Sequence, residues 1–147
     1  MSSKNKINIK HIALFVTAVV ATVFLINFTV GYLKGVFGSV SAKDAADFLE
    51  SYGWEIEAGS CMQEEVVIPK VFSEVYERYN ALQIKQGFDL TKYRTDTVIR
   101  YTFNIKNFEG YEHACAHVLV KGGKIIGGDI SSSDLSGIMT GFDGKTY

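Results

Sequence analysis

The chain has 147 residues, 47% hydrophobic, 13% aromatic and 21% charged, with 14 Gly and a single Pro. That balance excludes a disordered, collagen-like or disulfide-dense protein and leaves room for one modest domain. The formal charge of −1 hides an asymmetry, because Lys4, Lys6 and Lys10 precede every acid while residues 34–147 carry 12 basic and 16 acidic side chains, net −4, which argues against a nucleic-acid partner.

Residues 12–33, IALFVTAVVATVFLINFTVGYL, form a run of 22 without a formal charge. As a helix this run reaches about 33 Å, enough for a hydrocarbon core of about 30 Å. It is predicted to be a transmembrane signal anchor. Lys4, Lys6, Lys10 and His11 lie ahead of it and Lys34 alone follows closely. The positive-inside rule then puts residues 1–11 in the cytoplasm and the remaining chain outside, in a single-pass arrangement at the cell membrane. The competing reading is a cleaved signal peptide and a secreted domain. Val40-Ser41-Ala42 has the small-residue pattern of a cleavage site, but the apolar run exceeds the roughly 7–15 residues of such a signal. The anchor is therefore preferred.

Residues 34–41 read as a Gly/Ser linker and residues 42–147 as an extracytoplasmic domain. Ser41 to Asp44 resembles a capping box, and Ala45, Phe48, Leu49 and Tyr52 recur at helical spacing before Gly53. Residues 54–56 and 65–68 are short strand candidates around a turn at Gly59. Pro69 is placed to open a second helix, with Phe72, Val75, Tyr76, Tyr79, Leu82 and Gln83 as its apolar stripe and Glu74 with Arg78 as an exposed pair. Gly87 ends it, and residues 88–94 connect onward. Residues 98–108 alternate, with Ile99, Tyr101, Phe103 and Ile105 on one face and Arg100, Thr102, Asn104 and Lys106 on the other. Residues 112–120 and 124–130 form a hairpin about Gly122-Gly123. The expected fold is α+β: behind the membrane helix, two helices cover one face of an antiparallel sheet of about three to five strands.

The pattern of residues also resembles a known family. Ser51-Tyr52-Gly53-Trp54 leads into Val67-Ile68-Pro69; then come Val75-Tyr76, Tyr79-Asn80, Leu82-Gln83, Gln86-Gly87-Phe88-Asp89-Leu90 and Tyr93. Arg100-Tyr101 and Gly127-Gly128-Asp129 complete it. From about Ala45 to Phe142 the chain is similar to the bacterial, mainly Firmicutes, domain-of-unknown-function family numbered 4830. The resemblance implies an exported domain in a Gram-positive bacterium and no particular activity.

Candidate chemistry is sparse. His113, Cys115 and His117 alternate, so on a strand all three point to one face and offer nitrogen and sulfur ligands for zinc or copper. The competing reading puts Ala114, Ala116, Val118 and Val120 inward and the histidines in water. Cys61 and Cys115 are the only cysteines, and outside the cytoplasm they can form a disulfide; two free thiols are the preferred reading. Gly127-Gly128-Asp129 is read as a structural turn whose glycines also allow close approach to the sheet. Ser131-Ser132-Ser133-Asp134 lacks a nucleophile elbow and is expected to cap a short last helix through Leu135 and Met139. Glu64 and Glu65 point to opposite strand faces, unlike a two-acid catalytic pair. Trp54, Tyr76, Tyr79, Tyr93 and Tyr101 are read as core and core-edge residues, with a ligand groove as the alternative.

No catalytic residue and no cofactor is therefore assigned. The function expected is a non-catalytic binding or regulatory module at the cell envelope, with the membrane and an envelope protein or peptide as partners. The alternative is a metal-handling protein or enzyme using the face of His113, Cys115 and His117.

Overall fold

A computed structural model describes residue 17 and residues 19–23, 25–27, 39–133 and 137–146. They belong to two compact units, Met1–Gly38 and Ser39–Tyr147. In the first, residue 17 and residues 19–23 and 25–27 are helical. Asn27 donates from Nδ2 to the Val23 carbonyl at 2.8 Å, so the side-chain amide of this uncharged run bonds within its own helix. Among the described residues no helix is long and apolar enough to cross a membrane. The rest of the predicted span, residues 12–33, lies outside the described residues.

The second unit is α+β. Ser41 caps α1 (Ala42–Ser51) with the full reciprocal box: its hydroxyl accepts from the Asp44 amide, and the Asp44 carboxylate accepts from the Ser41 amide. Ala45 and Leu49, one turn apart, are fully buried. Gly53, at φ +89°, lets the chain turn into Ile56, which bridges to Ile105. The first strand, β1 (Met62–Val67), begins earlier than the predicted residues 65–68.

Five strands then form an antiparallel sheet in chain order: β1, β2 (Thr97–Ile105), β3 (Ala114–Lys121), β4 (Lys124–Ser132) and β5 (Met139–Thr140). Gly122 and Gly123 join β3 to β4 with both φ angles positive, +55° and +73°, as a type I′ turn requires. The expected last helix is corrected at Met139, which pairs with Ser131 as part of β5; residues 134–136 lie outside the described residues. Ser131 and Ser132 belong to β4.

The excursion between β1 and β2 carries α2 (Glu74–Lys85) and a 3-10 turn, Leu90–Tyr93. Pro69 does not open α2. Ile68 carries the pairing one step past the two strands, donating to the Asp96 carbonyl and accepting from the Thr95 amide just ahead of β2. Pro69 has no amide to continue that pairing. The helix starts five residues later, where the Ser73 hydroxyl accepts from the Tyr76 amide. Val75 is consequently 75% exposed, while Asn80, Leu82 and Gln83 are buried. Glu74 and Arg78 form the expected pair.

Both faces of the sheet are covered, a correction to the one-faced expectation. Tyr101, Phe103, Ala116, Val118 and Ile130 pack with Ala45 and Leu49 of α1. Val98, Leu119 and Ile126 point the opposite way and pack with Ile68, Phe72 and Leu90 from the β1–β2 excursion. Alternation along a strand separates these two cores.

Candidate functional site

The second core has a polar centre where α2 meets β4. Tyr79, Asn80 and Gln83 of α2, with Gln86 at its C-cap, reach backbone or side-chain partners there. The Tyr79 hydroxyl donates to Asp129 Oδ1 at 3.1 Å. Asn80 Oδ1 accepts from the Leu90 amide at 2.8 Å. Gln83 Oε1 accepts from the Gly128 amide at 2.8 Å, and Gln86 Nε2 donates to the Gly128 carbonyl at 3.0 Å. Gln86 Oε1 also accepts from the Phe142 amide at 2.7 Å. β5 covers β4 only at Ile130 and Ser131, so the two glutamine amides replace a neighbouring strand at Gly128. This clasp satisfies buried backbone groups that would otherwise cost about 1–3 kcal/mol each. The Gln83 Nε2 atom is buried without a hydrogen-bond partner among the described residues.

Glycine is required at that contact. A Cβ on Gly128, at φ +151°, would lie 2.0 Å from the His117 carbonyl oxygen and 2.5 Å from Phe142. One on Gly127 would lie 2.7 Å from Gln83 Oε1. The Gly127-Gly128 pair sits inside β4 and not in a turn, and its function is the close approach.

Asp129 is the charged member of the cluster. Its side chain is 4% exposed, against 24% for His117, whose Nδ1 lies 3.1 Å from Asp129 Oδ2. Both carboxylate oxygens are thus engaged, one by α2 and one by β3. Burial first, and then the adjacent Asp129 charge, holds the Tyr79 hydroxyl well above the usual tyrosine range. The same carboxylate adds to burial in pushing the Cys115 thiol up. A protonated thiol is a poor nucleophile and metal ligand.

The three candidate ligands do not share one place. His113, which precedes β3, and Cys115 line, with Glu57 and Asn104, a cavity of about 570 Å³. His117 lines a different cavity of about 240 Å³, with Arg100 and Asp129. Cys115 Sγ lies 3.7 Å from Asn104 Oδ1, and Asn104 Nδ2 donates to Glu57. Among the described residues no group of three or more His, Cys, Asp or Glu side chains can hold a metal ion. Ala114, Ala116, Val118 and Val120 are buried, as the inward-alanine reading has it, but His117 is engaged by Asp129 and not left to water.

Cys61 and Cys115 are both free. Cys61 directly precedes β1, whereas Cys115 lies on β3, with β2 between them. Two strand spacings make about 9–10 Å, beyond the roughly 7 Å limit for a bridge. Glu64 and Glu65 diverge as expected: Glu64 lies opposite Arg100 and accepts from its Nε at 2.9 Å, while Glu65 lies opposite Ile99.

The aromatic candidates divide between core and groove. Tyr101 is buried, with its hydroxyl donating to the Val40 carbonyl, and Trp54 Nε1 donates to the Phe142 carbonyl at 2.6 Å. Tyr76 and Tyr79 line the 240 Å³ cavity and also an adjoining one of about 450 Å³ with Val75, Leu82 and Met139. The part played by Gln83 and Gln86 escaped the sequence reading. Two glutamines three residues apart on a helix face were its only sign.

Fold and clasp together define a small α+β domain built on an antiparallel meander with an α-helical excursion locked to its fourth strand. The model of one family, described as domain of unknown function DUF4830, matches residues 48–130. The chain belongs to that family. No curated protein and no solved structure matches it.

Proposed function

We propose that this is a single-pass membrane protein whose extracytoplasmic domain is a non-catalytic binding or regulatory module at the cell envelope. The observation that carries the reading is the use made of the most distinctive polar residues. Tyr79, Asn80, Gln83, Gln86 and Asp129 bond to one another or to backbone inside the fold. Catalysis needs a reactive group aimed at a substrate; Asn80, Gln83 and Gln86 instead satisfy backbone groups, and Tyr79 and Asp129, at the wall of the groove, bond to each other. Beside them Tyr76, Tyr79 and Met139 line an open groove, the kind of surface that binds without reacting. The membrane part of the proposal rests on the uncharged run of residues 12–33 and the lysines ahead of it.

The test is expression of the full chain with a C-terminal tag, followed by cell fractionation, intact mass and in-cell crosslinking. Full-length protein in the membrane fraction, accessible to protease from outside and crosslinked to a discrete neighbour, is expected. A product starting near residue 43 and free in the medium overturns the anchor. Full-length membrane protein with its C-terminus inside overturns the envelope assignment.

A further inference from the structure

Among the described residues β1 is an outer strand of the sheet, paired with β2 alone. Ile68, one residue on, spends its amide and carbonyl on the stretch just ahead of β2. Backbone groups alternate in direction along an antiparallel strand. Val66 and Glu64 therefore face β2, and Val67, Glu65 and Gln63 turn their amides and carbonyls outward, with no strand beside them. Outer strands are commonly blunted by Lys, Pro or a bulge. Met62 to Val67 has none of these, and its register with β2 is unbroken over all six residues. Met62 and Val67 are 62% and 63% exposed, so apolar side chains stand open next to the free backbone. The one protective device on this edge is the pair Glu64 and Glu65, which opposes some partners and not others.

Charge decides which. Residues 54–69 hold Glu55, Glu57, Glu64 and Glu65 and no base, and the next base along the chain, Lys70, lies past Pro69. Residues 97–106, which include the neighbouring strand, hold Arg100 and Lys106 and no acid. Four acids against two bases leave this edge at −2. Arg100 pairs with Glu64, and Glu57 accepts from the neutral Asn104 amide. Glu65, opposite Ile99, has no cation partner among the described residues. A second copy of the chain fits badly here. Outward-facing residues must meet outward-facing residues, so the two antiparallel registers of fullest overlap set Glu64 or Glu65 against its own copy. Like charges directly opposite are destabilising. A strand with Lys or Arg at those positions gains where a copy loses.

We propose that β1 takes up a basic extended segment of another protein as an added, antiparallel outer strand. Adjacent Lys or Arg side chains lie opposite Glu65 and Glu64, and β-branched residues lie opposite Val67 and Val66. This rests on the binding-module reading and goes further by naming the docking edge and the chemistry of the partner. Hydrogen bonds to the backbone of Gln63, Glu65 and Val67 supply affinity, and the side chains supply choice. Val66 lies opposite Val98 of the second core, and with Val67 and Tyr76 it lines the 240 Å³ cavity. The residue opposite Val66 thus has an apolar recess beside it. A base opposite Glu64 shares that carboxylate with Arg100, so Glu65 dominates the selection of charge.

The experiment uses the full-length, 15N-labelled chain in phosphatidylcholine nanodiscs, with empty nanodiscs as reference. Three end-capped hexapeptides are titrated: TVVKKT, its acidic counterpart TVVEET, and TVVKKT N-methylated at both lysines. The last keeps its charge but loses a donor on each of its edges. TVVKKT is expected to give saturable amide shifts at Gln63, Glu65 and Val67. Its Kd should be about tenfold below that of TVVEET, the size of two cross-strand charge pairs made favourable and not unfavourable. The N-methylated peptide is expected to lose these shifts. Glu65→Lys, at an exposed position, is expected to keep the dispersed spectrum and erase the preference for the basic peptide. Equal shifts from the N-methylated peptide overturn strand addition, because charge alone then accounts for binding. Equal binding of TVVKKT and TVVEET overturns the basic partner, and a preference that survives Glu65→Lys overturns the role of that residue. Shifts in β1 that grow with the chain's own concentration, without peptide, put a second copy on the edge and overturn the proposal. No shift in β1 with any peptide overturns it altogether, and a partner crosslinked in cells to another face of the domain would then still support the binding-module reading.

Discussion

Asp129 concentrates the consequences that a single side chain can have. Its charge is buried and held by one hydroxyl and one imidazole. His117→Ala removes one of the two groups bonded to a buried carboxylate and should cost about 1–3 kcal/mol, read as a lower urea midpoint at pH 7. Tyr79→Phe removes one hydrogen bond and should cost about 1–3 kcal/mol. The raised pKa of Tyr79 also has a sign. Unfolded tyrosine loses its proton near pH 10, while the folded chain keeps it to higher pH because burial and Asp129 oppose the phenolate. Above about pH 10 the unfolded state therefore binds fewer protons, and stability falls with pH by up to about 1.4 kcal/mol per unit from this residue. Urea midpoints between pH 9 and 11 should fall more steeply for the unmodified chain than for Tyr79→Phe; equal slopes would remove Tyr79 from the alkaline transition. Gly128→Ala places a methyl group 2.0 Å from a carbonyl oxygen and should unfold the domain or destabilise it by about 3 kcal/mol or more.

At the level of elements, α2 and β4 are joined by amides in place of a strand ladder. Gln86 both donates to Gly128 and accepts from Phe142, so Gln86→Ala should release the Phe142 amide to fast hydrogen exchange while β2 and β3 stay protected. Uniform loss of protection would show that the clasp is part of global stability and not a local lock. Much of the elements' layout was legible from the chain. The Ser41 box, the alternation expected over residues 98–108 and the glycine hairpin are local devices, each complete within a few residues; the box and the hairpin appear where expected, and the strand ends three residues early, at Ile105. Pro69 and Ser131 to Met139 were misread because competing local signals were present. Proline suits a helix start and also a strand end, and pairing of Ile68 with Asp96 decided for the latter. Serines suit a cap, but the pairing of Ser131 with Met139 drew the first of them into the sheet.

For the whole domain, the order of strands governs which distant groups meet. β2 stands between Cys61 and Cys115, so both thiols should remain free. Alkylation of the unreduced, denatured chain followed by intact mass should show two adducts; a chain that accepts none until reduced would contradict the strand order. In the native state Cys61 should react faster, because it is exposed while Cys115 is half-buried; burial pushes both thiols up, and Asp129 adds to this only at Cys115. The same order brings His117 beside Asp129 across one strand pair and sends His113 to a different cavity. The metal constellation suggested by spacing depends on all three ligands sharing one place, and strand alternation alone does not provide that.

Short-range chemistry was therefore written in the chain: an α+β domain, its helix caps, its hairpin, its family and the uncharged run ahead of it. These follow from hydrophobic period, backbone freedom and capping groups, which act over a few residues. The covering of both sheet faces, the glutamine clasp at Gly128 and the burial of Asp129 between α2 and β3 were decided only on folding. They depend on residues 12 to 56 positions apart meeting at distances of about 3 Å, the range at which a hydrogen bond forms, and no local pattern encodes which partner each will find.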